Sequence, residues 1–468
     1  MKDKKERKKL NKGARFIIIL VLVASLLLAA AVIYRMAKGE DLFLASGLRV
    51  EMMYVIVGLL ATVAVLLVVL FVGYLYERFA RKSESERADG IVIIGGASPK
   101  AADGDINENG ERFCMLSAID REKDKLGKRK YEQGVSLEYF CESFRNFAAY
   151  ELKLYYDIED IRRFVSGLAV SKMLILQGMS GTGKTSLAHA LGTFVDNSSV
   201  VIPVQPVWKE RSDLIGYYNE FTKRFNETLL LEKMYEANYS KDMYVAILDE
   251  MNIARVEYYF AEFLSLLELP DPEERYLDVV SDKWENDPIQ LKDGRIKLPV
   301  NMWFIGTANN DDSTFAISDK VYDRAMIMNL DTKAEPFVAP KTSCTHISAK
   351  QFERLTTQAM KEYEVTARNL RRIEELDKYL IEHFQITFGN RIMKQIKSYI
   401  PVYVACGGDE LEALDDILAK KVLRKLEMQN PIYLRNAAGG LISYLDELFG
   451  DDRMKLCKAF MARLQRTI

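Results

Sequence analysis

The chain is poor in the residues that staple a fold or bind metal within it. Its 468 residues include only five cysteines (Cys114, Cys141, Cys344, Cys406, Cys457) and three histidines (His189, His346, His383). The cysteines are odd in number, widely scattered and form no CxxC pair, and the histidines are not at ligand spacing from them. Such usage belongs to a reducing compartment and excludes a disulfide framework and a zinc module. An excess of charge of one sign is also missing, since the net charge is -2. Proteins that live on nucleic acid draw affinity from clustered positive charge, so direct nucleic acid binding is not expected.

The near-neutral total hides an asymmetry. Residues 1–15 carry eight Lys/Arg against Asp3 and Glu6, a charge of +6 that leaves the remainder mildly acidic. Two long uncharged runs follow. Phe16 to Tyr34 is bracketed by Arg15 and Arg35, and Met52 to Tyr76 by Glu51 and Glu77. A helix rises about 1.5 Å per residue, so about 20 residues cross a hydrocarbon core of about 30 Å. The first run is too long for a signal-peptide core and lacks a small-x-small cleavage site, so both runs are expected to be uncleaved membrane helices. Basic residues crowd the N-terminal tail and the stretch Arg78 to Arg87, whereas the loop 35–51 balances three basic residues against three acidic ones. The positive-inside rule then puts both termini on the cytoplasmic side of the cell membrane. Neither run holds a charged residue, so the hairpin is expected to anchor and not to conduct.

Residues 77–132 are expected to be a flexible linker, because Gly95 to Gly110 is rich in small polar residues and Arg121 to Lys130 is highly charged without a clear core face. From Ser136 the pattern turns helical, with Leu137, Phe140, Phe144 and Phe147 at three- and four-residue spacing. A second helix is expected from near Asp157.

Gly178-Met-Ser-Gly-Thr-Gly183-Lys184-Thr185 satisfies the P-loop pattern. Glycines let consecutive backbone N–H groups turn toward phosphates, the lysine reaches the β/γ oxygens and the threonine hydroxyl helps hold magnesium. Gly178, Ser180, Gly181, Thr182, Gly183, Lys184, Thr185 and Ser186 are therefore the expected nucleotide-binding residues. Met173 to Leu176 before the loop reads as a buried parallel strand, and Ser186 to Leu191 after it as a helix. Further on, Tyr244-Val-Ala-Ile-Leu-Asp249-Glu250 is an apolar run ending in two acids. Asp249 would join Thr185 in orienting Mg2+, and Glu250 would take a proton from the attacking water. A third apolar strand, Met302 to Ile305, runs into Gly306-Thr-Ala-Asn309, where Asn309 would hold the lytic water or the γ-phosphate. Between these strands, Pro288 to Pro299 reads as a hairpin around Asp293-Gly294.

Taken together, GMSGTGKT, ILDEMNIAR, WFIGTANNDDST, ISDKVYDRA and FGNR stand in an order that resembles the AAA+ superfamily, in the branch of McrB-type, MoxR-type and dynein-related ATPases. The resemblance covers about residues 155 to 445. It implies an α/β P-loop core, a parallel sheet sandwiched by helices over 133–345, followed by a helical lid domain over 346–468. It implies that Arg324 is an arginine finger reaching a neighbouring subunit's γ-phosphate, and that Arg391 is a nucleotide-sensing arginine in the lid. Such a finger implies a homo-oligomeric ring, with a hexamer expected. ATP and Mg2+ are the implied substrate and cofactor, although the residues do not choose between ATP and GTP. Departures exist: Arg324 is single and followed by Ala325, and Arg424 replaces a proline of the McrB-like pattern. The expected function is a membrane-anchored ATPase that remodels or assembles a protein client or cognate subunit. A nucleotide-gated scaffold with little turnover and a McrB-like GTPase subunit of a defence system are the alternatives.

Overall fold

A computed structural model describes residues 110–126, 129–309 and 314–467. The basic tail, both expected membrane helices and the linker up to residue 109 lie outside the described residues. Among those described, no helix is long and apolar enough to cross a membrane.

Five strands form one parallel sheet: β1 (Met173–Gly178), β2 (Val200–Pro203), β5 (Tyr244–Asp249), β9 (Met302–Asn309) and β10 (Met326–Asn329), in the order β10-β1-β9-β5-β2. Continuous apolar runs such as Val-Ala-Ile-Leu suit strands covered on both faces, as parallel strands are. Successive side chains alternate between two separate hydrophobic clusters. Leu174, Leu176, Val245, Ile247, Trp303 and Ile305 enter one, and Met173, Ile175, Ala246, Leu248, Met302 and Phe304 enter the other.

The first face is covered by α2 (Leu137–Tyr150), α3 (Ile158–Val170) and α4 (Lys184–Phe194). Ser136 accepts the Tyr139 N–H to cap α2, and Asp157 stands at the N-cap of α3, so both helices begin where the sequence pattern turns helical. The second face is covered by α1 (Met115–Glu122), α5 (Leu229–Ala237) and α6 (Ala261–Glu268).

The expected linker differs in its last part. Residues 110–126 are built into the second face, with Phe113 and Leu116 fully buried. The Arg112 guanidinium is enclosed by Asp282, Asp287 and the Trp284 ring, and Glu227 accepts the N–H groups of Cys114, Met115 and Leu116 at the start of α1. The charged stretch that follows conceals this short Arg-Phe-Cys-Met-Leu anchor.

Two small sheets edge the second face. One is the hairpin of β3 (Gly216–Asn219) and β4 (Arg224–Glu227). In the other, β7 (Leu291–Lys292) and β8 (Arg295–Lys297) turn at Asp293 and Gly294 as the sequence implies, both at positive φ, and β6 (Tyr276–Asp278) adds a third strand.

The C-terminal helices are α7 (Ala349–Glu362), α8 (Ala367–Phe384), α9 (Asn390–Ala405), α10 (Glu410–Ile417), α11 (Pro431–Phe449) and α12 (Lys455–Thr467). A capping box of Ser348 and Gln351 starts α7, and another of Asp409 and Glu412 starts α10. They do not close over the sheet as a separate body. Their apolar residues join the cluster on the first face, where α9 packs along α3 and Phe352 meets Trp303 edge-on at 5.7 Å.

Candidate active site

The carboxyl ends of β1, β5 and β9 meet where the strand order reverses, the usual place for a ligand crevice in a parallel sheet. The P-loop leaves β1 here. Gly178, Gly181 and Gly183 all hold positive φ, and a Cβ on Gly178 would stand 2.2 Å from the Leu330 carbonyl oxygen. Glycine is required at Gly178 on both counts. Lys184 is buried, its Nζ donating to the carbonyls of Gly178 (3.0 Å) and Met179 (2.7 Å) across the loop. Thr182 Oγ1 donates to the same Met179 carbonyl. From behind, the Tyr156 hydroxyl donates to the Gly183 carbonyl at 3.0 Å. Ser180 lies in the turn of the loop, and Thr185 and Ser186 open α4, whose N-terminus faces the loop.

Thr185 Oγ1 donates to Asp249 Oδ1 at 2.7 Å. The β5–β9 pairing puts Leu248 opposite Gly306, so Thr307 comes beside Asp249 and donates to the same oxygen at 2.8 Å. The Thr307 hydroxyl in turn accepts the Glu250 N–H at 2.9 Å. Glu250 sits at φ 53°, a left-handed conformation that is costly for a residue with a Cβ. Such strain persists where neighbours over-determine it, and the surroundings do so here. Gly306 leaves room for Met251, whose Sδ would lie 2.0 Å from an added Cβ.

Asn309 pairs with Gly178 across the β1–β9 register, which brings it to the mouth of the P-loop. Its backbone is held by Asn252, which donates Nδ2 to the Asn309 carbonyl at 2.8 Å and accepts its N–H at 3.3 Å. The structure therefore brings Lys184, Thr185, Asp249, Glu250 and Asn309 together. Thr307 and Asn252 complete the group; both lie within recognised motifs, but only strand register reveals their contacts.

The two arginines lie elsewhere. Arg324 precedes β10, whose Met326 pairs with Leu174 near the start of β1, while the P-loop follows its far end. A six-residue strand at about 3.3 Å per residue separates the two levels by about 16 Å, beyond the reach of an arginine side chain. The resemblance assigns Arg391 to nucleotide binding, but the structure sets it beside Arg324 and away from the P-loop of its own chain. Glu268, at the end of α6, joins them: Arg324 Nε donates to its Oε2, and Arg391 Nη2 forms an ion pair with its Oε1, each at 2.7 Å. These three residues, with Ser171, Lys172 and Lys394, help line an open groove of about 1020 Å³. The seat of α9 accounts for this placement: it packs along α3 with Arg391 in its first turn, at the starting end of β1. No motif marks Glu268.

Comparison with known proteins agrees with the nucleotide site. Residues 173–325 match the family described as AAA domain (dynein-related subfamily). Residues 342–467 match a domain of unknown function (DUF8727). No curated protein matches the chain. A solved structure from Cytophaga hutchinsonii, described as a "putative ATPase", is 14% identical over 70% of this chain and 95% of its own, with a TM-score of 0.43 that carries no weight by itself. With a P-loop, a paired Thr185–Asp249 and a positioned Glu250 inside the matched span, residues 173–325 resemble an AAA domain of the dynein-related kind, and the chain is an ATP-hydrolysing enzyme.

Proposed function

We propose that this ATPase works as a membrane-anchored ring, a hexamer, in which each chain completes its neighbour's active site and hydrolysis remodels or assembles a protein client at the cytoplasmic face. One observation carries the ring: Arg324 stands about a strand length from its own P-loop, so a phosphate it contacts belongs to another chain. Arg391 shares that surface and serves the same neighbour. The anchor rests on the runs 16–34 and 52–76, each uncharged and long enough to span a bilayer.

The residues fit magnesium as a cofactor, because a hydroxyl and a carboxylate are brought to 2.7 Å at the start of α4, an arrangement suited to a cation that also takes phosphate oxygens. Thr185 and Asp249 would hold it, and when bound it neutralises charge on the β- and γ-phosphate oxygens. Lys184 exchanges the Gly178 and Met179 carbonyls for those phosphates as the loop N–H groups close on them. Glu250 accepts the proton of the attacking water, its backbone fixed through Thr307. Asn309 orients the water or the γ-phosphate, with its backbone pinned by Asn252.

The test is steady-state ATP and GTP hydrolysis by the full chain against protein concentration. The ring predicts turnover rising more steeply than linearly and a loss of about 10³–10⁵-fold in Arg324→Ala, with nucleotide binding kept. Turnover proportional to concentration and unaffected by Arg324→Ala would reject it. Binding without turnover at any concentration would favour the scaffold, and faster GTP turnover the McrB-like alternative.

A further inference from the structure

The backbone that carries Arg324 is held in an unusual way. Four consecutive carbonyls, from Tyr322 to Ala325, each accept a hydrogen bond from a side chain of another element. Lys421 Nζ donates to Tyr322 O at 2.5 Å and also to Ala325 O. Gln395 Nε2 donates to Asp323 O at 3.3 Å, and Ser171 Oγ to Arg324 O at 3.2 Å. Lys421 and Gln395, which supply three of these four bonds, come from the C-terminal domain, to which no role has been given.

Lys421 is the centre of this cradle. It is 4% exposed, and it projects from a π-helical turn, Leu418–Val422, that interrupts the helical run after α10. Such turns carry a strained hydrogen-bond pattern and recur at functional positions. Burying an ammonium is costly, and burial pushes the Lys421 pKa down to about 7, opposed by Asp323 and assisted by Arg424, Arg391 and Lys425. Gln395 bears a cost as well, since its Oε1 is buried without a hydrogen-bond partner. A lysine at the carbonyl end of the short helix Asp319–Tyr322 could act only as a cap. A cap, however, needs no contact with Ala325 beyond the arginine.

The side-chain geometry points the same way. Glu268 takes Arg324 by Nε, which leaves the Nη1/Nη2 edge outside that bond. With the backbone fixed from behind and Nε fixed from the side, the guanidinium presents its paired donors, the edge suited to a phosphate. We propose that Lys421 is a positioning residue for ATP hydrolysis: it fixes the Tyr322–Ala325 backbone so that Arg324 meets the neighbouring chain's γ-phosphate. The domain of unknown function thereby builds the finger. This rests on the reading that Arg324 acts across a chain boundary. Displacing a catalytic group by about 1 Å costs on the order of 10²-fold in rate, which sets the scale of the effect.

The experiment uses full-length chains and mixtures of variants. Lys421→Met should lower kcat by about 10–100-fold while leaving nucleotide affinity unchanged, because its own P-loop is intact. Mixed with Glu250→Gln chains, which have a dead site but an intact finger, it should regain turnover, as Arg324→Ala should in the same mixture. Combined with Arg324→Ala, it should add no further loss. Recovery for Arg324→Ala with none for Lys421→Met would overturn the proposal and keep the finger. Recovery for neither would overturn both, and an unchanged kcat in Lys421→Met would overturn the proposal outright. Gln395→Met, which removes one bond of the cradle and its orphaned oxygen, should show the same pattern with a smaller loss. If Lys421→Met does not fold, an unchanged kcat in Gln395→Met decides against the proposal.

Discussion

The two ends of the sheet are organised by different rules. At the carboxyl end, the phosphate cradle and its acids follow from short runs of consecutive residues, each emerging from a strand in the same sheet. Thr185, Asp249, Thr307 and Glu250 form one continuous hydrogen-bonded chain. At the opposite end, Glu268, Arg324, Arg391 and Lys421 come from a helix end, a short turn, a C-terminal helix and a π-helical turn. In the proposed ring, the first end is a complete site that lacks an outside charge, and the second supplies that charge to a neighbour.

If that division is right, substitutions at the two ends should fail differently. Glu250→Gln should lower turnover by about 10²–10⁴-fold with nucleotide still bound, and adding chains with intact sites should not restore the damaged one. A drop shared with the finger variants in every mixing experiment would erase the distinction. Glu268→Gln should cost less, about 10–100-fold, because a hydrogen bond to a charged group is worth about 1.5–3 kcal/mol and the amide keeps one acceptor. Its deficit should be relieved by Glu250→Gln partners, and a deficit that is not relieved would place Glu268 with its own nucleotide.

Asn252→Ala should act mainly on stability, by about 1–3 kcal/mol, because it removes the acceptor of the Asn309 N–H and one of the two side-chain donors to its carbonyl. Chemical denaturation measures this, and a change below about 0.5 kcal/mol would mean the turn is held by other contacts.

A further test concerns pH dependence. Lys421 titrates at about 7 in the fold and near 10.4 in an unfolded chain, so between these values the unfolded state holds more protons. Stability should therefore rise with pH across that window relative to Lys421→Met, and be flat below it. Parallel melting profiles for the two proteins would show that Lys421 stays charged in the fold.

The sequence discloses these ends unequally. A P-loop can be read from its residues because each glycine answers a local need, as the positive φ of Gly181 and Gly183 shows. The same holds for the ends of β5 and β9 and for the hairpin turn at Asp293 and Gly294. Thr307 and Asn252 are visible as letters but not as contacts, since their partners are fixed by the pairing of Leu248 with Gly306 and Gly178 with Asn309. Glu268 and Lys421 are ordinary charges in charged surroundings, and only helix packing brings them to Arg324. Arg391 shows the limit most clearly: a motif identifies it, but the seat of α9 on α3 sets it beside Arg324 and Glu268. The anchor at Arg112 and Phe113 was hidden by the brevity of its apolar run.

The hydrophobic cluster on the first face runs without a break from Leu137 through Trp303 and Met326 to Met461. The gap between residues 325 and 342 therefore separates two descriptions of sequence, not two heritable modules. A recombination event there would strip Phe352 and the helices behind it from Trp303 and leave a greasy wall facing water. Swapping cassettes among relatives is blocked at that point, unless the incoming piece carries the same apolar relief. Keeping the first face of this sheet dry therefore takes those helices or an equally apolar cover.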